Sequence, residues 1–359
     1  MSGNSKIEDV RHRIDRLDEE ILRLVNDRIK CAKEIGAARS NASEDGMYRP
    51  EREAQILNRL TELNSGPLES AQLQTIFSEV ISVARAAESI PRLSLLGPAG
   101  TYSQVAALKH FGQQVKTVFA TDIEEVFRLV ETGQADHGVV PVENSTEGGI
   151  SSTLDCLVTT PLRICGEISI RVSHSLVGHR ANRTSAEAIL GHEQALAQCR
   201  NWLNRNLPGL RKVPVSSNAE AVRRVRDDST SLAIAGGEAA KIYNLEVLEQ
   251  GIEDQPGNTT RFFVVGNQAI EASGRDKTSL AISSRNRAGS LQRLLAPLAD
   301  NSISMTRIES RPSRTGIWEY VFFIDFQGHV TDLAVTKALS EIESEAALFR
   351  VLGSYPQAI

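Results

Sequence analysis

The chain holds only four cysteines, and Cys31, Cys156, Cys165 and Cys199 form neither a CxxC pair nor a zinc-ligand spacing. They read as free thiols of a reducing compartment. The seven histidines form no HExxH pair, so neither a metal nor an organic cofactor is expected. Every apolar run falls short of the roughly 20 residues that span a bilayer. The first 15 residues are charged throughout, so no signal peptide is expected. Forty Lys and Arg against 45 Asp and Glu leave a net charge of −5, which excludes a basic field for nucleic acid or acidic lipid. Internal repeats and low-complexity stretches are absent. What remains is a cytoplasmic globular protein, 41% hydrophobic and 24% charged, whose 359 residues exceed one ordinary core.

Three patterns follow one another along it. In the first, residues 1–90, apolar side chains at Ile7, Val10, Ile14, Leu17, Ile21, Leu24, Val25, Ile29, Ala32 and Ile35 predict one long amphipathic helix over 7–40. A loop over 41–46, a helix from Pro50 to Leu63 and a third over 71–88 complete an all-α segment. A helix of about 34 residues is about 50 Å long and outruns the two short ones, so its seam asks for a second chain. In the second segment, residues 91–272, short apolar runs such as Leu93–Leu96, Gly138–Val142 and Arg261–Val265 alternate with helical patterns such as Ile123–Glu131 and Gln194–Asn204. That predicts a two-lobed α/β domain with a ligand cleft. The third segment, residues 273–359, reads β-α-β-β-α with a last strand near Val351–Ser354, a ferredoxin-like α+β order.

Arg11, Arg28 and Arg39 sit among many charges on the first helix, where a solvated face is the ordinary reading. Arg28 and Arg39 are nevertheless eleven residues apart, within about 20° of one face and roughly 16 Å along it, so both can reach one small dianion. Arg11 lies about 25 Å from Arg28, within reach of that anion only from a partner helix. The run Arg11-His12-Arg13-Ile14-Asp15-Arg16-Leu17-Asp18, with Arg28, Glu34-Ile35-Gly36, Arg39 and Tyr48-Arg49-Pro50-Glu51-Arg52-Glu53, resembles the all-helical chorismate mutases. The resemblance implies that Arg28 and the partner's Arg11 bind the chorismate carboxylates. It gives Arg39 and Glu88 the ether oxygen, Glu53 the ring hydroxyl, and Arg52 a supporting role. A pericyclic rearrangement needs only a held conformer and donors at the oxygen that gains charge. An ionised carboxylate only accepts hydrogen bonds, so Glu88 would act protonated.

In the centre, Gly97-Pro98-Ala99-Gly100-Thr101-Tyr102-Ser103 links a strand to a helix but lacks a P-loop lysine and a GxGxxG. With Pro141-Val142-Glu143-Asn144-Ser145-Thr146-Glu147-Gly148-Gly149 and Gly257-Asn258-Thr259-Thr260-Arg261-Phe262 it closely resembles prephenate dehydratase over about residues 92–270. That implies a periplasmic-binding-protein-like fold and decarboxylating dehydration of prephenate to phenylpyruvate. Thr260 would supply or relay the proton, helped by an adjacent charge or donor, and Arg261 would help to fix the carboxylates. Asn144, Gln198, Thr101, Ser103 and Ser217 would line the site, with His174 and His192 structural. Gly191 stands where the family often has serine.

In the tail, Asn286-Arg287-Ala288-Gly289-Ser290-Leu291, Glu309-Ser310-Arg311-Pro312 and Trp318-Glu319-Tyr320-Val321-Phe322-Phe323 resemble the phenylalanine-binding ACT domain. This implies an allosteric site for L-phenylalanine at Ala288, Gly289, Ser290 and Leu291 with Glu309, Ser310, Arg311 and Pro312, in a homodimer or a dimer of dimers. Together the segments resemble bifunctional chorismate mutase/prephenate dehydratases with an ACT end. The alternatives are a dehydratase with a helical dimerisation arm, or an amino-acid sensor without catalysis, for which Thr260 would have no purpose.

Overall fold

Apolar 3,4 spacing without an interior proline carries the first helix for 41 residues, α1 (Ser2–Ala42). The computed structural model describes residues 2–42, 48–284, 287–312 and 320–358, without the side chains of 2–5, 39–42 and 182. Two compact units result, one of Met1–Arg49, Ile56–Pro91 and Phe111–Lys116, the other of Pro50–Gln55, Arg92–His110 and Thr117–Ile359.

Pro50 opens α2 (Pro50–Leu63) where no intrahelical donor is needed. A reciprocal capping box between Glu69 and Gln72 opens α3 (Ser70–Glu88). α1 runs along α3, and the Arg28 Nη1 donates to the Val80 carbonyl at 3.2 Å. The polar face of α1 carries the solvent-exposed chain Glu20–Arg23–Asp27–Lys30. Its apolar seam stays open in the single chain. Ile7, Val10, Ile14, Leu17, Ile21 and Leu24 are each at least half exposed.

In the second unit, β1 (Arg92–Leu96), α4 (Tyr102–Phe111), β2 (Lys116–Ala120), α5 (Ile123–Glu131), β3 (His137–Asn144), β4 (Gly148–Gly149), α6 (Ser151–Thr159) and β5 (Arg163–Arg171) come first. Then follow β6 (Ser175–Gly178), β7 (Ala188–Gly191), α7 (Glu193–Gln198), α8 (Arg200–Asn206), β8 (Arg211–Pro214), α9 (Asn218–Arg226), β9 (Ser231–Ala235), α10 (Gly237–Ile242) and β10 (Glu246–Gln250). β11 (Thr259–Gly266) returns to the first sheet, whose order is β2-β1-β3-β11-β5; the second is β10-β6-β9-β7-β8. Two segments therefore cross between the lobes, residues 172–174 and 251–258. The expected helix over Gln194–Asn204 is broken at Cys199, because the Asp254 carboxylate accepts from the Asn201 and Trp202 amides and starts α8 afresh.

β12 (Asp276–Ser283), α11 (Ser290–Asp300), β13 (Met305–Pro312), β14 (Tyr320–Gln327), α12 (Leu333–Glu345) and β15 (Leu348–Pro356) form the expected β-α-β-β-α-β order, with strands β13-β14-β12-β15. Both helices cover one face of this sheet. From the other, Ala281, Val321, Phe323, Leu352 and Tyr355 join Phe263, Val265, Leu154 and Leu157 of the α/β segment in one core. The approach is close enough that a Cβ at Gly353 would meet the Ile164 carbonyl oxygen at 2.2 Å.

Candidate active sites

β11 divides its side chains between two tasks because successive residues of a strand point to opposite faces. Thr260 stands opposite Asn144 of β3, and a bulge between Arg261 and Phe262 follows at once. Arg261, Phe263 and Val265 take the other face; the last two lie in the core shared with the carboxy-terminal sheet.

At the Thr260 face the direction of every hydrogen bond is determined. The amides of Thr146 and Glu147 donate to Asn144 Oδ1 at 3.0 and 3.3 Å, an Asx turn. Its Oδ1 being so engaged, Asn144 turns Nδ2 toward Thr260 and donates to Oγ1 at 2.9 Å. The Thr260 hydroxyl then accepts from the protein and keeps its own proton, which no described residue accepts.

The other expected residues are dispersed around the crossover. Thr101 braces the glycine loop by donating to the Leu96 carbonyl at 2.9 Å, and Ser103 is buried behind it. Ser217 Oγ accepts from the Glu220 amide at 3.0 Å and caps α9. Gln198 ends α7 and is half-buried, with Oε1 accepting from Asn258 Nδ2 at 3.1 Å and 2.9 Å from His174 Nε2. His192 caps α7 through Nδ1. Across the lobes, the Tyr102 hydroxyl donates to the Ser173 carbonyl at 2.5 Å and the Tyr243 hydroxyl to that of Ala99 at 3.1 Å. Burial pushes the Cys156 and Cys165 thiols up to about 11 and about 12, so neither is a nucleophile near neutral pH.

Arg261 makes its contacts on the opposite side of the strand. Its Nε donates to Glu167 at 2.9 Å, Nη1 to Asp325 at 2.5 Å and Nη2 to the Tyr355 hydroxyl at 3.1 Å, with 14% of the side chain exposed. Lys277 completes the cluster on Glu167 at 2.8 Å, and Ser279 bridges Asp325 and Tyr355. Burial opposes the Arg261 charge, yet Tyr355, Asp325 and Glu167 hold its pKa above the ordinary value. Arg261 therefore ties β11 to the carboxy-terminal sheet, each of its three nitrogens facing a protein acceptor.

In the helical unit, Arg28 and Glu88 lie along the contact of α1 with α3: a Cβ at Gly36 would stand 3.0 Å from Glu88 Cγ. Arg11, on the open stretch of α1, pairs with Glu8 at 2.8 Å and is 66% exposed. Arg52 and Glu53 occupy the first turn of α2, one exposed and one half-buried. The Arg39 side chain lies outside the described residues.

In the carboxy-terminal sheet, Gly289 takes a left-handed conformation (φ 77°) before Ser290 and Leu291 start α11, and the Ser284 hydroxyl donates to Ser290 at 3.0 Å. β13 ends in Glu309, Ser310, Arg311 and Pro312. Arg311 donates to Ser151 and to Asp155 at 3.2 Å, while Arg307 pairs with Glu143 at 2.9 Å and with Glu309. The candidate effector loop thus grips both ends of the segment that carries Asn144. Of the residues between Glu143 and Asp155, only Asn144 was singled out from sequence. The polar loop at the strand end was the available signal for the rest.

Two lobes with directed hydroxyl and amide donors at their crossover, long helices before them and a β-α-β-β-α-β sheet behind define a multidomain enzyme of small-molecule metabolism. The chain matches the family Chorismate mutase type II over residues 10–89, Prephenate dehydratase over 93–270 and ACT domain over 278–344. It is 44% identical to a bifunctional chorismate mutase/prephenate dehydratase of Pseudomonas aeruginosa over 364 residues, covering all of both chains. A namesake from Neisseria gonorrhoeae is 48% identical over 354 residues, covering 97% of this chain and 96% of its own. The solved prephenate dehydratase of Arthrobacter aurescens in complex with L-Phe superposes with a TM-score of 0.69 at 33% identity, over 74% of this chain and 89% of that one. The chain belongs to the bifunctional chorismate mutase/prephenate dehydratase family.

Replacing Arg261 by Met leaves Asp325 in the interior without its cation and Glu167 with Lys277 alone, a loss of about 3–5 kcal/mol. Thermal unfolding of the second unit is expected to fall by about 10 °C, with little change in KM for prephenate. A raised KM at an unchanged midpoint would restore Arg261 to the substrate.

Proposed function

We propose that the chain turns chorismate into prephenate in its helical segment and prephenate into phenylpyruvate in its two-lobed segment, two steps toward L-phenylalanine, which inhibits it. The observation that carries this reading is the hydrogen bond from Asn144 Nδ2 to Thr260 Oγ1. As the carboxylate carbon of prephenate leaves as CO₂, its bonding electrons enter the ring and the ring C–O bond breaks. The departing hydroxide takes the Thr260 proton and leaves as water, and the threonine regains a proton from solvent. Asn144 stabilises the alkoxide character that Thr260 acquires meanwhile. Asn144, Gln198, Thr101, Ser103 and Ser217 form the binding set around it.

The mutase site is shared between two chains. The open seam of α1 pairs with a second copy, so that the partner's Arg11 joins Arg28 on the chorismate carboxylates. Arg39 and Glu88 act on the ether oxygen, Glu53 on the ring hydroxyl, and Arg52 supports the site. The domains take residues 1–90, 91–272 and 273–359. The protein works in the cytoplasm as a homodimer or a dimer of dimers. L-phenylalanine binds at residues 288–291 and 309–312, and the Arg307 and Arg311 pairs carry its effect to the Asn144 loop. Inhibition follows from tighter binding to the less active conformation.

Purified protein given chorismate is expected to accumulate prephenate transiently and then phenylpyruvate, and added L-phenylalanine to suppress the second step. Chorismate left untouched while added prephenate is consumed would reduce the helical segment to a dimerisation arm. Inertness toward both would reject the reading altogether. The shared site has its own check in mixed subunits. Arg11→Ala and Arg28→Ala are each expected to abolish mutase activity, and re-associated together to recover roughly a quarter of it, since half the dimers then hold one intact site. No recovery in a demonstrated heterodimer would place both arginines in one chain's site.

A further inference from the structure

A second run of hydrogen bonds starts in the same loop and leads away from Thr260. The Thr259 amide, which can only donate, gives its proton to Ser145 Oγ at 2.9 Å. Ser145 therefore spends its own proton on Asn258 Oδ1, 3.3 Å away. With Oδ1 so occupied, Asn258 offers Nδ2 and donates to Gln198 Oε1 at 3.1 Å. Gln198 Oε1 has no proton to give, so His174 Nε2, 2.9 Å away, must carry one. The tautomer of His174 follows from a backbone amide 85 residues further along the chain, by way of three side chains.

The ring is held for this purpose. His174 is 3% exposed, and its amide donates to Glu253 Oε2 at 2.9 Å while Ser173 Oγ donates to the same carboxylate at 3.1 Å. The remaining ring nitrogen, Nδ1, is buried and meets no hydrogen-bond partner among the described residues, as suits a bare acceptor. The outcome at Gln198 is asymmetric: two donors converge on Oε1, and no described residue accepts from the amide nitrogen of this half-buried side chain.

We propose that His174 is a positioning residue of the dehydratase: with Asn258 it clamps Gln198 Oε1, so that the Gln198 NH₂ is turned to the substrate as a fixed donor. The inference rests on the reading that prephenate is turned over in this cleft and touches Gln198. Prephenate carries two carboxylates and a ketone, all acceptors. A Gln198 amide turned by half a rotation would present them with a carbonyl oxygen instead, exchanging attraction for repulsion. Asn258 alone offers Gln198 one donor; His174 supplies the second and makes the orientation unique. A histidine that merely filled the core would need neither the directed proton nor the bare nitrogen.

The test compares two variants of the full-length protein that fill the same space. Gln retains a donor near the position of Nε2, whereas Met is similarly long and unbranched and has none. With prephenate as substrate, H174M is expected to lose at least roughly 10-fold in kcat/KM, mainly through KM, and H174Q to stay within about threefold of the parent. Mutase activity and the unfolding midpoint are expected to be equal in the two. Equal dehydratase losses in both would reduce His174 to packing and overturn the proposal. If neither variant folds, long-range ¹H–¹⁵N spectra of the parent protein decide: Nε2 protonated and Nδ1 bare supports it, and an Nδ1-protonated ring or an imidazolium overturns it. Parent protein inert toward prephenate would instead defeat the dehydratase reading beneath it.

Discussion

A backbone amide can donate and never accept, and the chemistry of the two-lobed segment depends on that one-way property. The amides of Thr146 and Glu147 set the polarity of Asn144, and the Thr259 amide sets that of Ser145. From those fixed ends the direction of each later bond follows by elimination. One relay ends on the hydroxyl of Thr260 with its proton uncommitted, the other on the amide nitrogen of Gln198. Neither group is strongly acidic, and neither needs a shifted pKa to be useful. What the protein supplies is direction prepared before the substrate arrives, which costs no reorganisation when charge develops.

The same strand that presents Thr260 also anchors the carboxy-terminal sheet. Arg261 is its immediate neighbour, and alternation sends the guanidinium to Glu167, Asp325 and Tyr355 on the opposite side. A second tie, through Arg307 and Arg311, holds Glu143, Ser151 and Asp155 on either side of the Asn144 loop. The shared core and the close approach at Gly353 make these contacts part of one packed unit. A change in the carboxy-terminal sheet therefore has short mechanical routes to both residues of the Asn144–Thr260 pair. Packed interfaces of this kind respond in discrete steps, which suits control by an effector.

Much of this was legible in the chain itself, because periodicity is a local property. The 3,4 spacing from Ile7 to Ile35 marks α1, and the apolar run Phe262–Val265 marks β11. The polar run Gly257–Thr260 before a strand marks the place of the site. The contacts of Arg261 follow a rule that was available: adjacent strand residues point to opposite faces. The role of His174 was not legible, since it depends on pairings across 24 residues to Gln198 and, from there, 60 to Asn258. Cys199 was read as the middle of one helix because the Asp254 carboxylate that restarts the helix there lies 52 and 53 residues away in sequence.

In the proposed dehydration the proton of Thr260 stays available because Asn144 donates to its oxygen. Asn144→Asp tests it most directly, since the exchange keeps the size of the side chain and the acceptor of the Asx turn while turning the donor into a second acceptor. The Thr260 proton would then be drawn to the carboxylate and away from the leaving hydroxyl. The account predicts a fall of about 10²-fold or more in kcat for prephenate, with mutase turnover and unfolding unchanged. Dehydratase turnover retained in a folded Asn144→Asp protein would contradict it.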